Sequence, residues 1–211
     1  DSEGLTIVSV DGYRLALRHE SIDKKEGAET FSFVVPGAAL SEVEKICSDV
    51  DEPASVTQGA RHVMFKVGDT MLVSRRLEGE FLAYRQAIPR NNTIHVEGDT
   101  RALLSSIDRV SLIISDKLKS PLRCVFGDGL VSITTKTGIG DAADQCPIEG
   151  DGGGLEIGFN NRYLMEALRY APADKVKIEL NTGVSPAIIV PVEGEENFLY
   201  MVLPVRLKSA E

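Results

Sequence analysis

The segment Leu155-Glu156-Ile157-Gly158-Phe159-Asn160-Asn161-Arg162-Tyr163-Leu164-Met165-Glu166-Ala167-Leu168-Arg169-Tyr170-Ala171 decides the fold, because it reads as a strand running straight into a helix. Leu155 to Phe159 is apolar-rich and suits a strand; Asn160 is a helix N-cap, and Leu164, Leu168 and Ala171 fall at the spacing of one buried helical stripe. The pattern occurs twice more upstream, at intervals of about 60 residues. Thr93 to Val96 leads into Asp99, Leu103, Ile107 and Val110; Phe31 to Val35 leads into Pro36, Leu40, Val43 and Cys47. Proline suits a first helical turn and aspartate is an N-cap.

After each helix the apolar period changes from 3.6 to 2, which predicts strands. Hairpins are expected from His62–Lys66 with Met71–Arg75 around Val67-Gly68-Asp69-Thr70, and from Arg123–Phe126 with Leu130–Thr134 around Gly127-Asp128-Gly129. The last unit pairs Lys175–Leu180 with Ala187–Val190 and closes on Phe198–Leu203. Each unit therefore reads as strand, helix and three strands. Leu5–Val10 and Tyr13–Arg18, around Asp11-Gly12, form a further hairpin with no helix before it, so the chain holds about three and a half units and is expected to be a fragment. The charged stretch 20–29 reads as a mobile connection, and Gly150-Asp151-Gly152-Gly153-Gly154 as a flexible joint rather than a phosphate cradle, since a strand follows it and not a helix.

The 211 residues, 43% hydrophobic and 26% charged, have a globular composition. No apolar run approaches the roughly 20 residues that a membrane-spanning helix needs. Cys47, Cys124 and Cys146 are scattered, without zinc-ligand spacing, and are expected to be reduced thiols in a cytoplasm. His19, His62 and His95 lie on or beside predicted strands with no recognisable nucleophile or metal partner, so catalysis has little support.

The net charge of -9 requires any nucleic-acid contact to come from a local basic face. Lys45, Arg101, Arg109, Arg162 and Arg169 lie off the apolar helix stripes and are candidates for phosphate contact without base reading. Glu42, Glu44, Asp108 and Glu166 share those helices, so ordinary solvated faces remain the competing explanation. The apolar strand ending in Pro204-Val205-Arg206-Leu207 suits either the core or the rim of a peptide groove.

Four motifs carry a resemblance over the whole chain: Val10-Asp11-Gly12-Tyr13-Arg14-Leu15-Ala16-Leu17, Ile88-Pro89-Arg90-Asn91, Ile157-Gly158-Phe159-Asn160 with Tyr163-Leu164, and Leu203-Pro204-Val205-Arg206-Leu207. Together they resemble the bacterial DNA sliding clamp, the beta subunit of DNA polymerase III. The resemblance implies an α+β clamp fold, with part of a middle domain at 1–91 and a C-terminal domain at 92–211. It implies a non-enzymatic processivity factor without cofactor, closed as a two-subunit ring around duplex DNA, with the helices lining the hole. It also implies a hydrophobic pocket for short linear motifs of polymerase and clamp-loader subunits. Carried over by position, that pocket takes Val10, Gly12, Tyr13, Arg14 and Leu15; Leu82 and Ala87; Ser185 and Ala187; and Met201, Leu203, Pro204, Val205, Arg206 and Leu207. Leu82 stands where the family commonly has proline, and Lys208–Glu211 extends past the usual final leucine. Ile113 and Ile114, with Asp141 and Asp144 nearby, correspond to the ring contact, whose counterpart domain the family places elsewhere; the chain alone is expected to be monomeric. A repeat-built interaction scaffold that never meets DNA is the rival reading.

Overall fold

The structure, a computed structural model, describes residues 3–22, 30–48, 50–115, 120–194 and 197–207. Most of the connection expected at 20–29 and the extension 208–211 lie outside the described residues. The chain forms two compact units, Asp1–Gly4 with Ser21–Ala87, and Leu5–Glu20 with Ile88–Glu211.

The first unit is built on a three-stranded antiparallel sheet of β3 (Ala54–Gln58), β4 (His62–Val67) and β5 (Thr70–Arg75), in that order. Val63, Phe65 and Val67 alternate into its buried face, as a one-sided sheet requires. Helix α1 (Gly37–Ser48) packs on β4 and β5, but its stripe of Leu40, Val43 and Cys47 is only half-buried. The expected opening strand Phe31–Val35 is not a strand. Val34 accepts one backbone bond, from Leu77 N–H at 2.8 Å, and Phe33 packs edge-on against Phe65, so side-chain packing holds the segment rather than a ladder. A short helix, α2 (Tyr84–Ala87), ends the unit.

The second unit holds an eight-stranded antiparallel sheet. Its elements are β1 (Leu5–Val10), β2 (Arg14–Glu20), β6 (Ile94–Asp99), β7 (Leu122–Thr137), β8 (Gly140–Phe159), β9 (Lys175–Leu180), β10 (Ala187–Pro191) and β11 (Phe198–Val202), ordered β1-β2-β11-β10-β9-β6-β8-β7. The N-terminal hairpin, which the domain reading places in 1–91, is joined to the last strand: β2 pairs with β11 from Arg14↔Val202 to Arg18↔Phe198. Helices α3 (Thr100–Ser111) and α4 (Asn161–Tyr170) pack on one face of this sheet and on each other. Both caps form as the sequence predicts: Asp99 accepts from Ala102 N–H at 2.7 Å, and Asn160 from Arg162 N–H at 3.0 Å. Leu103, Ile107 and Val110 on α3 and Leu164 and Leu168 on α4 are buried with Val96, Ile178, Ile189 and Tyr200 of the sheet.

Two expectations are corrected in β7 and β8. The Gly127-Asp128-Gly129 segment is no hairpin turn; β7 runs through it, and the turn comes at Gly138-Ile139. Gly150 to Gly154 is no joint either, because β8 runs through it as well. The two glycine clusters face one another at Asp128↔Asp151, where the ladder shifts register. Glycine is needed there for close approach: a Cβ on Gly152 would stand 2.5 Å from the Phe126 carbonyl oxygen.

Candidate functional site

The tip of the β1–β2 hairpin presents Tyr13 and Arg14 toward α4. Tyr13 is exposed and its ring stacks on Tyr163 at 6.0 Å between centroids. The Arg14 guanidinium lies 4.4 Å from the same ring and donates through Nε to Asp11 Oδ2 at 2.8 Å. Its Nη1 donates to Glu166 Oε2 and, at 3.3 Å, to the Tyr200 hydroxyl. Burial opposes the Arg14 charge, yet the bonds to Asp11 and Glu166 outweigh it and raise the pKa above its ordinary value. Burial would raise the Asp11 carboxyl, but Arg14 and the Tyr13 N–H together hold it below its usual value. Burial pushes the Tyr200 phenol up. Asn160, Tyr163 and Glu166 are brought to the hairpin because the cap fixes where α4 begins, and the sheet order puts β11 beside β2.

The C-terminal segment 203–207 completes this cluster. Leu203 N–H donates to the Tyr13 carbonyl at 2.9 Å, and Val205 N–H donates to the Gly158 carbonyl at 2.8 Å. Tyr13, Arg14, Leu203, Pro204, Val205 and Leu207 are therefore gathered at one end of the second unit, with Val10 at the head of the same hairpin. Leu15 and Met201 face each other in the β2–β11 ladder and are buried, as is Ala187, which faces Val202 in β10. These three side chains lie within the sheet and are nearly inaccessible to solvent. Ser185 sits in the turn before β10, its hydroxyl bonded to Thr182 Oγ1 at 2.7 Å. Leu82, 54% exposed, and Ala87 belong to the other compact unit. Tyr163, Glu166 and Tyr200 were not among the expected site residues.

The basic set divides. Lys45 is bonded to Glu42 at 2.7 Å, and Arg109 to Asp144 through Nε at 2.8 Å and Nη2 at 2.6 Å, so both carry an acidic partner. Arg101 and Arg169 line one open groove of about 460 Å³ between α3 and α4, together with Leu104, Leu168, Pro172 and Asp174. Arg162 lies in the first turn of α4.

At the expected ring contact, Ile113 is half-buried and Ile114 folds back against the core, its N–H bonded to the Ser111 carbonyl. Leu112, at the C-cap of α3, is 79% exposed and is the more available apolar group beside them. Asp144 also accepts from Ser106 Oγ at 3.0 Å, and the Gln145 N–H with Arg109 and Ser106 lowers its pKa. Asp141 stands 3.9 Å from Lys136 at the end of β7.

Residues 85–206 match the sequence pattern of the C-terminal domain of the DNA polymerase III beta subunit, and residues 1–82 that of its central domain. A beta sliding clamp of Staphylococcus aureus is 30% identical over 204 residues, which are 96% of this chain and 53% of the relative. A solved DNA polymerase III beta subunit from Eubacterium rectale superimposes with a TM-score of 0.89 at 30% identity, over 96% of this chain and 54% of that one. A sliding clamp from Bartonella birtlesii, solved bound to griselimycin, gives 0.86 at 26% identity over 96% and 54%. The chain thus spans about half the length of the relatives it matches.

Proposed function

Because the chain belongs to the DNA polymerase III beta-subunit family, we propose that it forms part of a sliding clamp, a non-catalytic processivity factor that encircles duplex DNA in the cytoplasm. We place the division of the clamp's middle and C-terminal domains near residue 91, with the N-terminal hairpin a middle-domain element that continues the sheet of its neighbour. The observation that carries the reading is the one-sided sheet: α3 and α4 cover one face and display Arg101, Arg162 and Arg169 outward, as contact with phosphates in any sequence requires. Such contact is weak and salt-sensitive, which suits sliding.

The hairpin tip, α4 and segment 203–207 form the partner site. Short linear motifs of polymerase and clamp-loader subunits bind there through an apolar anchor and backbone hydrogen bonds, and griselimycin, bound in the Bartonella clamp, is expected to compete with them. Ile113 and Ile114, with Asp141 and Asp144, contribute to the subunit contact of the ring, and the exposed Leu112 adjoins them in the chain.

Loading of the full-length protein by its clamp loader onto nicked circular DNA tests the function. Retention on the circle and release on linearisation is the expected result. Equal retention on both forms, or none on either, would leave the DNA-free scaffold as the better description.

A further inference from the structure

We infer that Gly158 is the seat of the C-terminal segment 203–207, and that it positions this segment as the rim of the site. The inference rests on the reading of that site as a partner-binding one. Gly158 is in β8 and its backbone does not have a positive φ, so its conformation is one that any residue adopts. What excludes a side chain is the C-terminal segment. A Cβ at Gly158 would press on the Val205 carbonyl oxygen and stand 2.8 and 2.9 Å from Leu207 Cδ2 and Cγ. Real Cβ atoms do not come that close, so either β8 or the segment must move. β8 is locked into its ladder by Arg123↔Gly158 and flanked by the buried Ile157 and Phe159, whereas Val205 and Arg206 are exposed and belong to no strand. The segment yields first.

Its hold is slight enough for that to matter. Pro204 has no N–H to donate. Among the described residues, two backbone bonds carry the segment: Leu203 N–H to Tyr13 on the hairpin, and Val205 N–H to Gly158 on β8. Loss of the second leaves Val205 to Leu207 held by the Leu203 bond and by the packing of Leu207 against β8. Gly158 touches no partner in this arrangement and acts through the segment it seats. It is a positioning residue.

The test uses the 211-residue chain, the Gly158→Ala variant, the chain truncated after Pro204, and the two changes combined. Hydrogen exchange at the Val205 amide should accelerate roughly tenfold or more in Gly158→Ala, while the Ile178 and Ile189 amides of the central strands keep their rates. Griselimycin, titrated by calorimetry, should bind Gly158→Ala and the truncated chain about equally, each roughly tenfold or more weaker than the parent, and Gly158→Ala should add nothing once the segment is gone. Any loss of thermal stability caused by Gly158→Ala should likewise vanish in the truncated background. Unchanged exchange at Val205, or a stability loss that persists after truncation, overturns the inference, since the glycine would then serve β8 itself. If the Val205 amide is released as expected but the parent chain does not bind griselimycin, the seat stands and the partner-site reading falls.

Discussion

Arg14 shows how one side chain ties three parts of the chain together. Its guanidinium bridges Asp11 in the hairpin turn and Glu166 on α4, and it lies over the Tyr163 ring, so a cation with only 24% of its side chain exposed is balanced by two carboxylates. Removing Arg14 would leave Glu166 beside the Tyr200 hydroxyl without its counter-ion. The Asp11 carboxyl, held below its ordinary 3.8, gives the sign of a pH effect. A depressed carboxyl contributes stability that is fully present above the unfolded value and is lost as pH falls through the folded one. The stability advantage of the parent chain over Asp11→Asn should therefore shrink as the pH falls below the ordinary 3.8, measured by urea titration at each pH. A constant advantage would show that the Arg14–Asp11 pair contributes nothing. Arg14 itself was legible in the sequence through its hairpin motif. Glu166 was not: it lies 152 residues away, and on its own helix it reads as ordinary solvation.

At the level of elements, caps and stripes were legible because each is a local property. Asp99, Asn160, Leu103, Ile107 and Leu164 do what their spacing predicts, and the turn at Asp11-Gly12 falls where alternation breaks. The glycine clusters were not legible, because a glycine-rich stretch of a kinked strand and a linker have the same composition. Only the pairing of Asp128 with Asp151 reveals the shared bulge, and no single-strand pattern encodes that pairing. The two descriptions predict opposite outcomes. In a flexible joint Gly152→Ala would be neutral or stabilise slightly, by restricting the unfolded chain. In β8, against Phe126, it should cost about 1 to 3 kcal/mol by denaturant unfolding, comparable to overpacking a core. The missing strand at Phe31–Val35 has a related cause: apolar alternation marks a buried segment, but a strand also needs a neighbour along most of its length.

For the whole molecule, a net charge of -9 means that any phosphate contact rests on local cations such as Arg101 and Arg169, which line one groove together with Asp174. On the proposed reading, the subunit contact of the ring requires a complementary domain, and the two domains matched here are the central and C-terminal ones. The 211-residue chain should therefore sediment as a monomer at micromolar concentration, and a concentration-independent dimer would contradict the assignment of that contact. The seating of segment 203–207 also has a practical side. Anything fused after Glu211 starts only four residues beyond Leu207, so an affinity tag or fluorescent protein attached there becomes a tethered neighbour of the rim at high local concentration. Preparations labelled at that end would report the crowding of their own label together with the ligand.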